Sequence, residues 1–414
     1  MRILLDVKTR NEALDIINLN FPSAKMTESF CSEKVGILDS TGRILHADIT
    51  AKENVPGFNR STVDGYAVLS ADTFGCSESN PAILILKGEI LMGESADRLL
   101  EPGTCLVVST GGEIPENADA VIMHEYTEDY ENGMIGFQKP AAPGNNIIFK
   151  DDDAAIGDVV LKAGTLITPR VTGMLAALGC TTAEVRCRPI VAVISTGDEL
   201  VPVSTVPKSG QVRDVNTTML FAAIVKFGAE VKDFGIIKDD EKTIRTAMLE
   251  AAEISDIVLI SGGSSAGTRD MTAKVIESEG ELLLHGIAIK PGKPTILGKV
   301  KEKPVFGLPG HPVAAYMVTE LFVRPLITRM TGVEKARKTE QKRKTTKVKL
   351  SEAISSNHGR EEYIAVKIDE EGTAHPVKGK SGLISNLADA DGYICIPGDT
   401  EGLKKGAEII LTYF

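Results

Sequence analysis

Residues 189–330 combine two hydrophobic patterns that together are typical of an α/β sheet. Residues 190–194 and 257–260 are apolar runs without an intervening polar residue, which indicates strands covered on both faces. Further strands are predicted at residues 231–237, 295–297 and 305–308. Helices are predicted at residues 217–227 (capped by Asn216), 241–253, 271–279 and 313–330. Alternating strands and helices predict a parallel, doubly wound sheet whose loops gather at the carboxyl edge.

The remaining segments have other patterns. A helix is predicted over residues 9–20, with Thr9 and Glu12 as a capping box. Short β-like runs separated by Gly, Pro and Asn fill residues 45–150 and predict a small β-rich module. Strand-like runs at residues 156–161, 165–167 and 182–185 surround a predicted helix at about residues 169–178. Runs at residues 363–368, 392–396 and 409–412 predict a small β barrel or sandwich.

We therefore predict an α/β multidomain fold with four regions. A discontinuous N-terminal α+β domain comprises residues 1–45 and 154–188, and the β-rich module, residues 46–153, is inserted into it. The doubly wound α/β domain comprises residues 189–332, and the C-terminal β barrel comprises residues 333–414.

Composition and charge narrow the function classes. The hydrophobic content of 43% is ordinary for a globular protein, and the net charge of -11 argues against nucleic-acid binding. We find no apolar run long enough to span a membrane and no signal peptide. The six cysteines are scattered without a CxxC pair, so we interpret them as reduced thiols in a cytoplasmic protein.

A glycine-rich loop follows the predicted strand at residues 257–260. Backbone N–H groups at Gly262 and Gly263 and the hydroxyl of Ser264 can approach an oxyanion. Asp270 stands at the predicted start of the next helix. A carboxylate beside an oxyanion is unfavourable unless a cation bridges them, so the stretch suggests a phosphate-like ligand with a divalent metal. The alternative is a flexible turn with Asp270 as a helix cap.

Other loops should meet the glycine-rich loop at the same edge. Thr196, Gly197 and Glu199 follow the first strand, and Asp239 follows another. Pro309 and Pro312 flank a Gly-His pair after the last strand. Lys290 and Lys293, in the sequence IKPGKP, are candidate phosphate partners on a restrained backbone. The alternatives are that Glu199 and Asp239 cap helices and that the lysines are surface residues in a turn.

The β-rich module contributes further candidates: Asp64 before Gly65, the hydroxyl-glycine loop at Thr110, and Asp153 in a run of three aspartates. A turn at Asp64 and a solvated loop at Asp153 are the alternatives. We recognise no Ser–His–Asp or Cys–His arrangement in the sequence, and the histidines lack the spacing of metal ligands. These patterns favour catalysis by positioning the substrate and by electrostatic or metal-ion stabilisation over catalysis by a nucleophilic side chain.

Several ordered motifs resemble the molybdopterin molybdenumtransferase family, which includes MoeA and the E domain of gephyrin. They span residues from about 55 to 315 and read VPGFNRSTVDGYAV, VVSTGGEIPENADAVI, NNIIFKDDDAAIGD, VISTGDEL, FGIIKDDE, ISGGSSAGTRD, IAIKPGKP and GLPGHPVAA. The resemblance implies an α/β domain of the molybdopterin-binding, MogA-like type. It also implies that the N-terminal domain forms the dimer.

The resemblance also implies an activity and a set of site residues. The family inserts molybdate into adenylated molybdopterin with release of AMP, requires Mg²⁺, and forms homodimers whose clefts combine the α/β domain of one subunit with the β-rich module of the other. Contact with a molybdopterin adenylyltransferase, as supplier of the substrate, is a further expectation. Family positions correspond to Asp64, Thr110, Asp153, Glu199, Asp239, Asp270, Lys290, Pro309 and Pro312, with Ser381 or Ser385 in the C-terminal domain and Ser385 preferred.

The sequence departs from the family pattern at three places. Ile148 and Phe149 stand where arginines are common, a family lysine is replaced near Gly286, and His311 stands where asparagine is common. These changes leave open whether molybdate or tungstate is preferred. Two other functions also stay open: a molybdopterin adenylyltransferase and a non-enzymatic, gephyrin-like scaffold. The β-rich module argues against the first, and the acidic loops argue against the second.

Overall fold

The structure is a computed structural model that describes residues 7–22, 31–262, 266–333, 345–377, 379 and 382–414. Residues 266–270 are described by their backbone alone. Among the described helices, none is both long and apolar enough to cross a membrane.

The first helix, Arg10–Asn20, has the predicted capping box. The Thr9 side chain accepts from the Glu12 N–H, and the Glu12 carboxylate accepts from the Thr9 N–H at 2.7 Å. Ala13 and Ile17 are buried in the hydrophobic core of the α/β domain, beside Leu220 and Phe322. The helix therefore docks on a distant segment, because a single short amphipathic helix cannot cover its own apolar face.

The N-terminal unit is held together by pairing between segments far apart in the chain. Strand Ser32–Gly36 pairs antiparallel with Thr182–Arg186, and Ile49–Thr50 pairs with Val159–Leu161. Helix Pro169–Ala177 begins with proline after the cap Thr168 and packs Leu175 against this sheet. Residues 165–167, predicted as a strand, form only an isolated bridge between Ile44 and Leu166.

A disulfide joins Cys31 to Cys187 at the end of that ladder. The prediction that all six cysteines are reduced was therefore wrong for this pair. The two cysteines are separated by 156 positions, and only the pairing of Ser32 with Arg186 brings them together. Cys76, Cys105, Cys180 and Cys395 are free thiols.

The β-rich module is a six-stranded sheet with a hydrophobic cluster on each face. In spatial order its strands are Ala120–Met123, Gly65–Val68, Thr104–Val108, Ala82–Ile90, Met134–Phe137 and Thr127–Asp129. Tyr66 and Val68 face one cluster and Ala67 faces the other, which is the alternation expected of a strand. A two-stranded ladder between Arg60–Ser61 and Ile147–Ile148 closes the module at its boundary.

The α/β domain contains a six-stranded sheet covered by helices on both faces, as predicted. Its strands, in spatial order, are Glu230–Ile237, Ile190–Thr196, Ile257–Gly262, Lys303–Leu308, Ile296–Val300 and Glu281–His285. Val191 and Val193 face one core, and Ala192 and Ile194 face the other. This two-sided burial explains why the strand sequence contains no polar alternation.

The first four strands are parallel, but Ile296–Val300 runs antiparallel to both of its neighbours, so that Glu281–His285 again has the direction of the first four. A wholly parallel sheet was therefore a wrong prediction at this edge. Lys301 and Glu302, both with positive φ, form a two-residue turn between Ile296–Val300 and Lys303–Leu308. Such a short connection can join only antiparallel strands.

Two helices of the α/β domain begin at residues other than those predicted from the sequence. They comprise Val215–Phe227, Glu241–Ile254, Ala266–Glu279 and a continuous run of Pro312–Val318, the π-helical Thr319–Val323 and Arg324–Thr331. Asp214 caps the first, not Asn216, because its side chain accepts from the Thr217 N–H. The third begins at Ala266 and not Met271, so Asp270 is not at a helix start.

The C-terminal domain is a closed five-stranded barrel. Its strands are Thr345–Leu350, Glu361–Ile368, Thr373–Pro376, Gly392–Ile396 and Glu408–Tyr413. Glu361–Ile368 pairs with both Thr373–Pro376 and Gly392–Ile396, which closes the ring. Ile289–Lys290 of the α/β domain pairs in parallel with Glu361–Ile368. The barrel is thus joined to the α/β domain by a shared strand edge.

The disulfide yields a first prediction. Replacing Cys187 with serine should destabilise the oxidised protein by about 2–4 kcal/mol, because the unfolded chain loses a long covalent loop. Thermal unfolding measured without and with a reductant should show that the Cys187→Ser protein is less stable than the wild type only when the reductant is absent. Cys395→Ser, at an exposed free thiol, is the matched control and should leave the melting temperature unchanged. Six titratable thiols in denatured, unreduced wild-type protein would contradict the assignment.

Candidate functional site

Polar side chains meet where the central strands of the α/β sheet end. Thr196 is the last residue of Ile190–Thr196, and its Oγ1 donates to Asp239 Oδ1 at 2.9 Å. Asp198 Oδ1 lies 3.5 Å from the Asp239 backbone nitrogen. The Glu199 carboxylate folds back over Gly197, with Oε2 only 2.8 Å from the position of an added Gly197 Cβ. The structure thus brings together Thr196, Gly197, Glu199 and Asp239.

Asp239 is not occupied as a helix cap. The cap of Glu241–Ile254 is Asp240, whose side chain accepts from the Thr243 N–H at 2.9 Å. The Thr243 side-chain and backbone donors hold the pKa of Asp240 below its usual range. Of the two adjacent aspartates, Asp240 caps the start of the helix and Asp239 accepts a hydrogen bond from Thr196.

Gly262 allows the closest backbone approach at this edge. It pairs with Thr196 in the parallel ladder, and an added Cβ would lie 2.1 Å from the Thr196 carbonyl oxygen. No side chain can be accommodated there without separating the two strand ends. Gly263 and Ser264 lie outside the described residues, as does the side chain of Asp270.

Asn216 is a site candidate that sequence reasoning missed, because it was interpreted as a helix cap. Its Nδ2 donates to Ser261 Oγ and to the Gly310 carbonyl oxygen, each at 2.9 Å. The carbonyl can only accept, so the amide orientation is fixed. Oδ1 is consequently turned away from Gly310, and it has no hydrogen-bond partner within the described part of the chain although Asn216 is only 8% exposed. An acceptor in this state is costly unless a ligand or water satisfies it.

A cavity of about 840 Å³ lies between the α/β domain and the barrel. Three of the candidate ligand-binding residues, Lys290, Lys293 and Pro309, line it from the α/β side, and His311 also lines it. Pro312 is the first residue of the helix that follows. Because Gly310 binds Asn216 while Pro309 and His311 line the cavity, the 309–312 loop joins the sheet edge to the cavity.

The barrel supplies the opposite wall of this cavity. Arg360, Glu362 and Asn386 line it, and none was predicted. Glu362 Oε1 lies 2.6 Å from Lys290 Nζ, and Glu362 Oε2 accepts from Ser356 Oγ at 2.6 Å. Lys290 is therefore anchored by a carboxylate, though an ammonium group keeps further donor hydrogens. Ser385 is exposed and begins the short helix Ser385–Ala388, next to Asn386. Ser381 lies outside the described residues.

Asp64, Thr110 and Asp153 belong to the β-rich module and not to the α/β edge. Asp64 Oδ1 accepts from the Thr110 backbone N–H at 2.7 Å and from Thr110 Oγ1 at 3.1 Å. The Thr110 backbone N–H, more than its hydroxyl, holds the pKa of Asp64 below its usual range. Asp153 is exposed, and its N–H donates to the Val55 carbonyl oxygen at 2.9 Å. The side chains of Asp64 and Asp153 thus lie on a separate module.

No group of three or more His, Cys, Asp or Glu side chains suited to a metal ion occurs among the side chains that the structure describes. Two of the three predicted metal ligands, Glu199 and Asp239, are on the same edge of the sheet, and the third is Asp270. The predicted ligand set stays a hypothesis.

Three family models match the chain in consecutive order. They are described as the MoeA N-terminal region (domain I and II), over residues 9–179, a probable molybdopterin binding domain, over 192–329, and the MoeA C-terminal region (domain IV), over 347–412.

Relatives and solved structures cover nearly the whole chain. The molybdopterin molybdenumtransferase of Bacillus subtilis is 34% identical over 385 residues, which are 91% of this chain and 89% of the relative. The protein of the same name from Staphylococcus aureus is also 34% identical, over 91% of this chain and 90% of its own. A crystal structure of a molybdopterin biosynthesis MoeA protein from Pyrococcus horikoshii has a TM-score of 0.82 at 38% identity, with 99% of each chain covered.

Gly262 yields the prediction for this site. Gly262→Ala should lower stability by about 1–3 kcal/mol, since the added methyl group overlaps the Thr196 carbonyl oxygen and forces the strand ends apart. Urea unfolding measures the change. Gly173→Ala is the matched control: it lies within helix Pro169–Ala177 with open space around it and should stabilise by about 0.5–1 kcal/mol. If the Gly262→Ala protein were as stable as the wild type, the close contact between the two strand ends would be refuted.

Proposed function

The chain belongs to the MoeA family of molybdopterin molybdenumtransferases, enzymes of molybdenum cofactor biosynthesis, and on that premise we propose that it inserts molybdate into adenylated molybdopterin with release of AMP. The observation that carries the proposal is that the 309–312 loop connects two chemically different surfaces. One is the cavity that contains Lys290, Lys293 and Arg360, and the other is the edge of the α/β sheet with its carboxylates and hydroxyls.

The cavity has the chemistry of an oxyanion site. Molybdate is a tetrahedral dianion, and it requires cationic or N–H donors from several directions. Lys293 lines it from the α/β domain and Arg360 from the barrel, and Lys290 Nζ lies 2.6 Å from Glu362 Oε1. Lys290, Lys293 and Arg360 outnumber the two carboxylates among the described lining residues, Glu352 and Glu362. We assign molybdate to this cavity. Pro309 and the proline-rich 290–294 segment line it on the α/β side and Asn386 lines it on the barrel side, and we propose Ser385, the neighbour of Asn386 in the chain, as a further substrate-binding residue.

The sheet edge suits the phosphate part of the substrate. The backbone around Gly262 and Gly263 would face the phosphate oxygens, with Ser264 as a further donor. Thr196 Oγ1, which donates its one hydrogen to Asp239, would become a phosphate donor when the bound ion takes over the Asp239 carboxylate. The buried Asn216 Oδ1 accepts an N–H or O–H from the substrate, which satisfies the acceptor that the protein leaves unpaired. Water attack on the phosphoric anhydride then breaks the P–O bond to AMP, and the proton released must pass to an acidic side chain or to solvent.

The donor set of the edge fits Mg²⁺. Asp239, Asp198 and the Thr196 hydroxyl present oxygen atoms close together, and Mg²⁺ in phosphate sites uses one or two carboxylates with substrate oxygens and water. We propose Glu199, Asp239 and Asp270 as the residues that hold it. The bound ion would neutralise phosphate charge and polarise the phosphorus. Asp239 keeps the Thr196 hydroxyl oriented toward the edge.

We further propose a homodimer in which the facing subunit completes the cleft. Asp64, Thr110 and Asp153 lie on the β-rich module, which is a separate sheet with its own cores. Their contribution to the cleft would then come from the other subunit. A molybdopterin adenylyltransferase is the proposed supplier of the adenylated substrate, and we place the reaction in the cytoplasm.

Release of AMP tests the proposal directly. Purified protein incubated with adenylated molybdopterin should release AMP only when both molybdate and Mg²⁺ are present, as measured by chromatography of the nucleotide. Consumption of ATP with free molybdopterin would instead indicate an adenylyltransferase. Binding of the substrate without turnover under any of these conditions would favour a carrier or scaffold, and either result would refute the proposed reaction.

The assignment of molybdate to the cavity has its own test. Arg360→Gln should raise the molybdate concentration needed for half-maximal AMP release by about tenfold or more, because a charged hydrogen bond is lost. Lys367→Gln is the matched control, since Lys367 is exposed on the same strand, Glu361–Ile368, and does not line the cavity. An unchanged molybdate dependence in Arg360→Gln would place the oxyanion elsewhere.

A further inference from the structure

Glu362 is a carboxylate inside a cavity that we assign to an anion. It lines the cavity between the α/β domain and the barrel, and its side chain is only 12% exposed. Its Oε1 lies 2.6 Å from Lys290 Nζ, and its Oε2 accepts a hydrogen bond from Ser356 Oγ at 2.6 Å. We propose that Glu362 is an internal counter-ion, which competes with the incoming oxyanion for Lys290 and thereby sets how tightly the cavity holds that oxyanion. The proposal rests on the assignment of molybdate to this cavity.

The backbone brings the two charged side chains together. Lys290 and Glu362 are register partners where Ile289–Lys290 pairs in parallel with Glu361–Ile368, so both side chains leave the ladder on the same side. On the other edge of its strand, Glu362 is paired with Ile396 of the barrel. The Glu362 backbone is therefore held between two strands, and its contact with Lys290 is built into the fold.

The two members of the ion pair differ in their freedom to move. The Lys290 side chain is 49% exposed, whereas that of Glu362 is 12% exposed and keeps Ser356 as a second donor when the ammonium turns away. The flexible four-carbon stem of a lysine lets its ammonium group reach other positions. An oxyanion that enters the cavity can therefore draw Lys290 away, while the Glu362 carboxylate stays in place.

Glu362 opposes anion binding along either route that is open to Lys290. If the ammonium turns to the oxyanion, a nearly buried carboxylate loses its cationic partner. If the ammonium keeps Glu362 and contacts the oxyanion through another of its three hydrogens, the carboxylate stays beside a dianion, and like charges repel more strongly there than in bulk water. In both cases molybdate is bound less tightly than Lys290, Lys293 and Arg360 would bind it without Glu362.

A weaker hold suits an oxyanion that is a reactant. In the proposed reaction molybdate must leave the cations of the cavity when it is transferred to the dithiolene of molybdopterin. Contacts that stabilise bound molybdate more than the transition state lower the concentration needed for half-saturation but also raise the barrier to transfer. Glu362 thus weakens the binding of the reactant and keeps its transfer fast.

The test compares the wild type with Glu362→Gln by calorimetric titration of the full-length protein with molybdate, in the absence of molybdopterin. Glutamine has nearly the same shape, its amide oxygen can accept from Lys290 and its amide nitrogen can donate to Ser356 Oγ, so the fold should be retained. Loss of the negative charge should tighten molybdate binding about tenfold or more. In the AMP-release assay the half-maximal molybdate concentration should fall by a similar factor, and the maximal rate should also fall. A merely structural role of Glu362 would not give tighter binding.

Two further variants make the result specific. Glu370→Gln removes the same charge from an exposed position just after strand Glu361–Ile368, outside the cavity, and should bind molybdate as the wild type does. Arg360→Gln should weaken molybdate binding. If Arg360→Gln does weaken it but Glu362→Gln binds molybdate no more tightly than the wild type, the counter-ion role alone is refuted. If Arg360→Gln leaves the binding unchanged, molybdate lies outside this cavity, and both the assignment and the counter-ion role are refuted.

Discussion

Two-sided burial of the central strands is the constraint from which the arrangement of the site follows. Ile190–Thr196 and Ile257–Gly262 are covered by helices on both faces, so an ionisable side chain within them would be buried without water. Polar chemistry can therefore start only where the strands end. Thr196, Asp239 and the loop after Gly262 occupy that place, and the parallel direction of the strands puts them at one edge.

The second constraint is the strand edge shared between the α/β domain and the barrel. Ile289–Lys290 pairs with Glu361–Ile368, and this pairing brings Lys290 within 2.6 Å of Glu362. The segment that follows, with Lys293, is thereby placed opposite Arg360 across the cavity. The barrel is thus part of the candidate site, because without it the lysines would stand on an open surface where salt screens their charge.

The sequence was sufficient where local chemistry decides the structure and insufficient where distant segments meet. Apolar runs located the central strands, and hence Thr196 and Asp239, because burial and strand ends are local properties.

The residues that sequence reasoning missed depend on contacts between distant segments. Asn216 was misassigned since Asp214 and Asn216 both suit a helix cap, and only the contact with Gly310 distinguishes them. Arg360, Asn386 and the Cys31–Cys187 disulfide depend on pairing across long separations, which no local pattern encodes. The antiparallel edge was missed because Lys301 and Glu302 form a tight turn without glycine or asparagine.

The net charge of the protein and the charges that line its cavity act on an anion over different distances. A chain with a net charge of -11 repels anions at long range, but at physiological salt that repulsion decays within about 8 Å. Inside a cavity the nearest groups dominate, and the cavity between the α/β domain and the barrel has cationic side chains from both. An anion bound there would be held only while the two domains stay together. Binding and domain arrangement must then be coupled, because whatever stabilises the bound anion also stabilises the arrangement that surrounds it.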